Sequence, residues 1–284
     1  MTYDRTTEDI GNIVEFGHVN TRVPDQRAAT LFYVTGLGLT RDPYLVTGVD
    51  NMWVNAGITQ CHLPTGPAQC LGGTTVLAVP DLEQLAWRLQ RVAPMLADSE
   101  FGFAEANDAI EAVSPWGNRF RCVVDPEVRL GIIAVEVDVA PGTASGIARF
   151  YRDILGTTAK VSDNAAHVPA GLSTMLVYRE TDRMLPEFDG THIQISLANF
   201  SAPHARLAEA GLITEESNQH QYRFETLIDP DSGEVLCSLE HEVRSMRHPT
   251  FARPLVNRDP MITNNRYAPG REALVLGTEP NDFA

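Results

Sequence analysis

The sequence has little cysteine, few cations and no long apolar run. Its four cysteines, Cys61, Cys70, Cys122 and Cys237, are scattered without CxxC spacing. That argues against a disulfide frame or a zinc knuckle and for reduced thiols, three of them inside apparent strands. Only 22 lysines and arginines stand against 37 acidic residues, a formal charge of -15, so a phosphate backbone or an anionic membrane is not the expected main partner. No stretch reaches the roughly 18 apolar residues of a membrane helix. The opening "MTYDRTTEDIGN" has no basic region followed by an apolar one, and a cytoplasmic protein is expected. A glycine-rich phosphate loop, a Walker motif, a GxSxG elbow and a nucleophilic triad are also missing, and the "GLG" near Gly36 closes a helix. What is present is a 284-residue chain with 43% hydrophobic content, ample for a buried core.

That material is organised by an internal repeat. "HVNTRVPDQRAATLFYVTGLG" from His18 matches "EVDVAPGTASGIARFYRDILG" from Glu136 without a gap, Phe32-Tyr33 falling on Phe150-Tyr151 and Gly38 on Gly156. Each reads as an alternating strand, a turn, an amphipathic helix ending in the aromatic pair, and a glycine stop. A second pairing joins "GTTVLAVPDLEQLAWRL" (from Gly73) to "THIQISLANFSAPHARL" (from Thr191), with Thr74 on His192. Turns at "SPWGNRF" and "DPDSGEV" follow, where Pro, Asp and Gly suit a hairpin.

The chain therefore reads as four units of strand, helix and about three strands, near 12–66, 67–128, 129–186 and 187–246. The expected domains are a first pair of units over 12–128, a second pair over 129–246, and an irregular C-terminal arm over 247–284, rich in Pro, Asn and Gly.

With its "FYxxxLG"-like helix ends, "VPDL" at Val79 and "DPD" hairpin, the sequence resembles the vicinal oxygen chelate superfamily, which includes glyoxalase I, extradiol dioxygenases, fosfomycin-resistance proteins and epimerases. The resemblance covers about 12–246. It implies an α+β fold of four βαβββ modules paired into two half-barrel sheets, with a divalent metal in a cup and ligands from the first and last strands of paired modules.

Carried over residue by residue, the resemblance puts His18 and His62 at the ligand positions of module one and Thr74 and Arg121 at those of module two. Module three offers Glu136 and Val177, and module four offers His192 and Glu240. Counted rigidly from the "DPDSG" glycine, the last ligand falls on Cys237. Glu240 is preferred because a longer hairpin arm carries "LE" to the cup, with Cys237 and Glu242 as alternatives. Modules pair either one with two and three with four, or one with four and two with three. The second arrangement, preferred here, gathers His18, His62, His192 and Glu240 as the metal set. A lone strand histidine is ordinarily structural; partners in matching repeat positions favour the ligand reading.

Three imidazoles and a carboxylate suit Fe(II) or Mn(II) first, and Zn(II), Ni(II) or Co(II) as well. In ring-cleaving relatives the region of "NQHQYRFET" supplies an acid or base, so His220 and Tyr222, alternating onto one strand face, are the catalytic candidates. Otherwise they are packing partners. His167, His204, His241 and His248 are read on loops, helix or tail, without a role. The expected function is a non-haem iron or manganese dioxygenase acting on a vicinal diol or similar chelating small molecule. A glyoxalase-type isomerase, epimerase or lyase is the second reading, and a non-catalytic binding protein is the third. A small-molecule substrate is the expected partner, with no nucleic acid or membrane, and a homodimer is compatible with the sequence.

Overall fold

A computed structural model describes residues 3–43, 45, 50–127 and 129–255. The expected C-terminal arm lies outside the described residues from 256 onward.

Four βαβββ modules follow one another. Module one comprises β1 (Ile13–Asn20), α1 (Gln26–Ala29, continuing as a π-helix over Thr30–Gly36), β2 (Thr40–Arg41), β3 (Asn51–Ala56) and β4 (Thr59–Pro64). Module two has β5 (Gly73–Ala78), α2 (Leu82–Val92), β6 (Gly102–Ala106), β7 (Ala109–Val113) and β8 (Arg119–Val123). Module three has β9 (Gly131–Val139), α3 (Ala144–Asp153), β10 (Lys160–Ser162), β11 (Ala165–Ala170) and β12 (Thr174–Glu180). Module four has β13 (His192–Leu197), α4 (Ser201–Glu209), β14 (Ile213–Asn218), β15 (Gln221–Ile228) and β16 (Val235–Ser245).

The repeat in sequence is a repeat in hydrogen bonding. In module one the Leu39 amide donates to the Tyr33 carbonyl at 3.1 Å, and in module three the Thr157 amide donates to Tyr151 at 3.1 Å. Both bonds span six positions, one more than the usual 6→1 closure of a helix C-terminus, and likewise have a left-handed residue just before the donor. Gly38 and Gly156 supply it with φ of +75° and +73°. The aromatic pairs they follow, Phe32-Tyr33 and Phe150-Tyr151, are buried.

The strands form two eight-stranded sheets, in the orders β14-β15-β16-β13-β1-β4-β3-β2 and β10-β11-β12-β9-β5-β8-β7-β6. Modules four and one thus build one sheet, and modules three and two the other. The sequence halves 12–128 and 129–246 each send one module to each sheet. Compact units cut across the strand order: Met1–Gly17, Gly72–Thr75 and Ile133–Met246 form one, and His18–Leu71, Val76–Ile132 and Arg247–Ala284 the other. Among the described residues no helix is long and apolar enough to cross a membrane.

Each unit has its own aromatic core on the helix side of its strands. In one, Phe32 packs against Tyr33, Phe101 and Phe120 with ring centroids 5.0 to 6.0 Å apart. In the other, Phe150 packs on Phe224 at 5.7 Å, and Phe224 stacks on His241 at 4.5 Å. His241 is fully buried in β16 and His167 lies in β11, so neither is the loop residue expected from sequence. The imidazole of His241 satisfies its polarity internally: Nδ1 meets the Leu239 carbonyl at 2.7 Å, and Nε2 meets the Tyr151 hydroxyl at 2.6 Å. A neutral ring with its proton on Nδ1 fits both bonds.

Candidate metal centre

Alternation along a strand decides which side chains share a face. On β4, Cys61 lies on the helix side, where it adjoins Tyr33, so His62 and Gln60 point the other way. The β3 partners fall in the same rows, Trp53 opposite His62 and Asn55 opposite Gln60. His62 stacks on Trp53 with centroids 3.8 Å apart and planes 14° from parallel. The buried ring of His18, from β1, meets Trp53 edge-on at 4.9 Å and His62 at 5.6 Å.

Both nitrogens of His62 are placed by amides. Nδ1 lies 2.6 Å from Asn20 Nδ2, and Nε2 lies 2.6 Å from Asn51 Oδ1. With these amide orientations the ring carries its proton on Nε2 and directs the Nδ1 lone pair toward Asn20.

In the other unit, parallel pairing of β13 with β16 sets His192 beside Glu240 and Gln194 beside Glu242. The His192 Nδ1 lies 3.2 Å from Glu240 Oε2, and its Nε2 lies 3.8 Å from Glu242 Oε2. Arg223, from β15, reaches Glu240 at 3.1 Å and also pairs with Glu242, whose other oxygen is 2.6 Å from Arg244. Burial alone would raise the Glu240 carboxyl, but the His192 hydrogen bond and the Arg223 charge outweigh it and hold the group below the usual carboxylate range. Farther along the row, Gln194 donates to Ser196 at 3.1 Å and Ser196 to Glu15 at 2.8 Å. Gly17 leaves room for this arrangement, since a Cβ on it would fall 1.7 Å from Gln194 Oε1 and push that side chain aside.

The other sequence candidates take different places. Cys237 is opposite Leu227 on the helix side, near Tyr151 and Tyr178, where burial pushes its thiol up to about 12. A thiol that stays protonated is a poor ligand. His220 is in the turn before β15, its amide bonded to Asn218 and its carbonyl to the Ser245 amide. Tyr222 is on the face opposite Arg223, buried between Phe200 at 5.0 Å and His204 at 4.9 Å, with no hydrogen-bond partner for its hydroxyl among the described residues. The two do not share a strand face, because the strand starts only at Gln221. Sequence reasoning missed Arg223, which sits in the same "NQHQYRFET" segment, and the amides Asn20 and Asn51. Their signal was alternation with known positions: Arg223 is one residue from Tyr222, and Asn20 is two from His18.

No family model and no curated protein matches the sequence. Solved structures do. A putative dioxygenase from Bacillus subtilis superposes with a TM-score of 0.54 at 14% identity, over 84% of this chain and 86% of that one. Glyoxalase I from Zea mays does so with a TM-score of 0.55 at 13% identity, over 86% and 95%. Paired βαβββ modules in two mixed sheets, matched over most of each chain, give this protein the vicinal oxygen chelate fold.

Proposed function

We propose that the chain is a divalent-metal-dependent enzyme acting on a small molecule with two neighbouring oxygens, and that His18, His62 and His192 are the metal ligands. One observation carries this reading: in one unit the rings of His18 and His62 stand edge to face with centroids 5.6 Å apart, two imidazoles on one sheet face. The other unit supplies His192, with Glu240 and Glu242 at its two nitrogens. Three imidazoles, with carboxylates beside His192, are a chemically suitable set for Fe(II) or Mn(II), and for Zn(II), Ni(II) or Co(II). A bound cation would polarise and orient the substrate oxygens.

The chain's own residues then have distinct tasks. Asn51, by accepting from Nε2, turns the Nδ1 lone pair of His62 to the ligand side, and Asn20 must give up that lone pair when a cation takes it. Glu240 faces Nδ1 of His192 and orients the ring, leaving Nε2 as the coordinating nitrogen with Glu242 on that side. In this reading Glu240 acts through His192, and Glu242 is the carboxylate nearer the ion. Arg223, bound to both, fixes them in place and helps keep Glu240 ionised.

A non-haem Fe(II) or Mn(II) dioxygenase is the first choice of chemistry, since the imidazole-rich set suits a redox-active ion and the Bacillus subtilis neighbour bears a dioxygenase description. A glyoxalase-type isomerase, epimerase or lyase is the second, favoured by Glu240 and Glu242 beside His192 as candidate bases. The test is elemental analysis of protein purified without a polyhistidine tag, then oxygen uptake with a catechol panel against hemithioacetal turnover after anaerobic reconstitution. Uptake with Fe(II) or Mn(II) supports the first chemistry and turnover without uptake the second. Failure to hold any divalent ion overturns the metal reading.

A further inference from the structure

The chain returns, after β16, to the strands that hold His62. Arg253, 211 residues from Asp42, places Nη2 2.6 Å from its Oδ2, with side-chain exposures of only 2% and 0%. Gln60 donates to the same Asp42 oxygen at 2.8 Å and to Asn55 Oδ1 at 2.6 Å, and its own Oε1 accepts from Arg253 at 3.3 Å. The Asn55 amide donates in turn to the Leu255 carbonyl at 3.1 Å. Asp42 is tied to the strand by its backbone, its amide donating to the Trp53 carbonyl at 2.8 Å.

The position of this cluster is what matters. Gln60 and Asn55 are the row next to His62 and Trp53 on the same sheet face, one two-residue step, about 7 Å, along the strands. Two charges and two amides this deeply buried would be costly without their mutual bonds, and a surface arginine pairing adventitiously would stay exposed. We propose that the segment 247–255 is a wall beside the Trp53–His62 stack, clamped there by Arg253, and that Arg253 is a positioning residue for that stack. The wall shields the Trp53–His62 stack from solvent on the Asn55–Gln60 side. This does not depend on the metal reading, because all of its contacts lie among Asp42, Trp53, Asn55, Gln60, Arg253 and Leu255.

Asp42→Asn tests it, as it loosens the clamp while leaving Phe251 as a chymotrypsin site within the segment. Chymotryptic cleavage after Phe251, followed by mass spectrometry on the folded protein, is expected to speed up at least tenfold. Acrylamide quenching of Trp53 fluorescence, in a Trp87→Phe, Trp116→Phe background, is expected to rise at least twofold. Unchanged cleavage overturns the clamp, and faster cleavage with unchanged quenching overturns the wall. If Asp42→Asn does not fold, the Asp42→Leu, Arg253→Met pair removes both charges together. Quenching is then read alone, a rise supporting the wall and no rise overturning it.

Discussion

The two sheets share a module plan and differ in what they display. At the four matched repeat positions, modules one and four carry His18, His62, His192 and Glu240, and modules two and three carry Thr74, Arg121, Glu136 and Val177. In the second sheet Glu136 stands in register with Val177 and pairs with Arg179 at 3.4 Å, and Arg121 pairs with Glu111 at 2.8 Å. The βαβββ backbone therefore forms without imidazoles at these positions. The buried His18 and His192, only 1% and 7% exposed, are not demanded by the module plan. Burying an imidazole is unfavourable without partners, and its presence at the ligand positions of one sheet and absence from those of the other marks the first as the place to look for chemistry.

Acid should separate the two units by the largest margin. Burial, working against its hydrogen bond to Leu239, holds His241 down to about 4 from an ordinary value of 6.5. The unfolded chain binds the proton first, so the contribution is complete above about pH 6.5 and is lost as pH falls through about 4, about 3 kcal/mol in all. Urea unfolding at pH 7 and pH 4.5 should show the loss, and His241→Phe should flatten it. An equal loss in both would locate the sensitivity elsewhere.

The comparison of faces is tested next by metal affinity. His62→Ala should weaken binding by more than about 100-fold, beyond what supporting residues usually contribute, and Glu136→Ala should leave it within about twofold. Competition with a chromophoric chelator measures both, and equal effects would erase the distinction between the sheets. Asn51→Ala should cost about 10-fold by releasing the His62 ring; the same assay showing no change would mean the ring needs no orienting. The smallest effect belongs to the second sheet: Arg121→Gln removes a pair 44% and 45% exposed and should shift the thermal midpoint by no more than about 0.5 kcal/mol equivalent.

Much of this was legible in the residues. The Phe-Tyr and Leu-Gly spacing announces the helix ends, because a glycine stop and a buried aromatic pair are local requirements that a sequence states openly. The strand histidines could be placed for the same reason, since each sits at a repeat position. The last strand was harder. Between β15 and β16 the register steps by one, from Phe224 opposite His241 to Thr226 opposite Ser238. A rigid count through such a bulge exchanges the two faces, so Cys237 and Glu240 could not be told apart by counting. Arg223 stayed hidden because its role depends on Glu240 and Glu242, 17 and 19 residues away. The clamp between Asp42 and Arg253 spans most of the molecule and leaves no periodic trace at either end.

The order of the modules also bears on biosynthesis. Modules two and three are neighbours in the chain and can associate as soon as both have left the ribosome, while module one must wait for module four, the last of them translated. Until then the strand bearing His62 lacks its eventual neighbours, and such waiting intermediates are prone to aggregate. Slow, cool expression should accordingly raise the yield of folded protein.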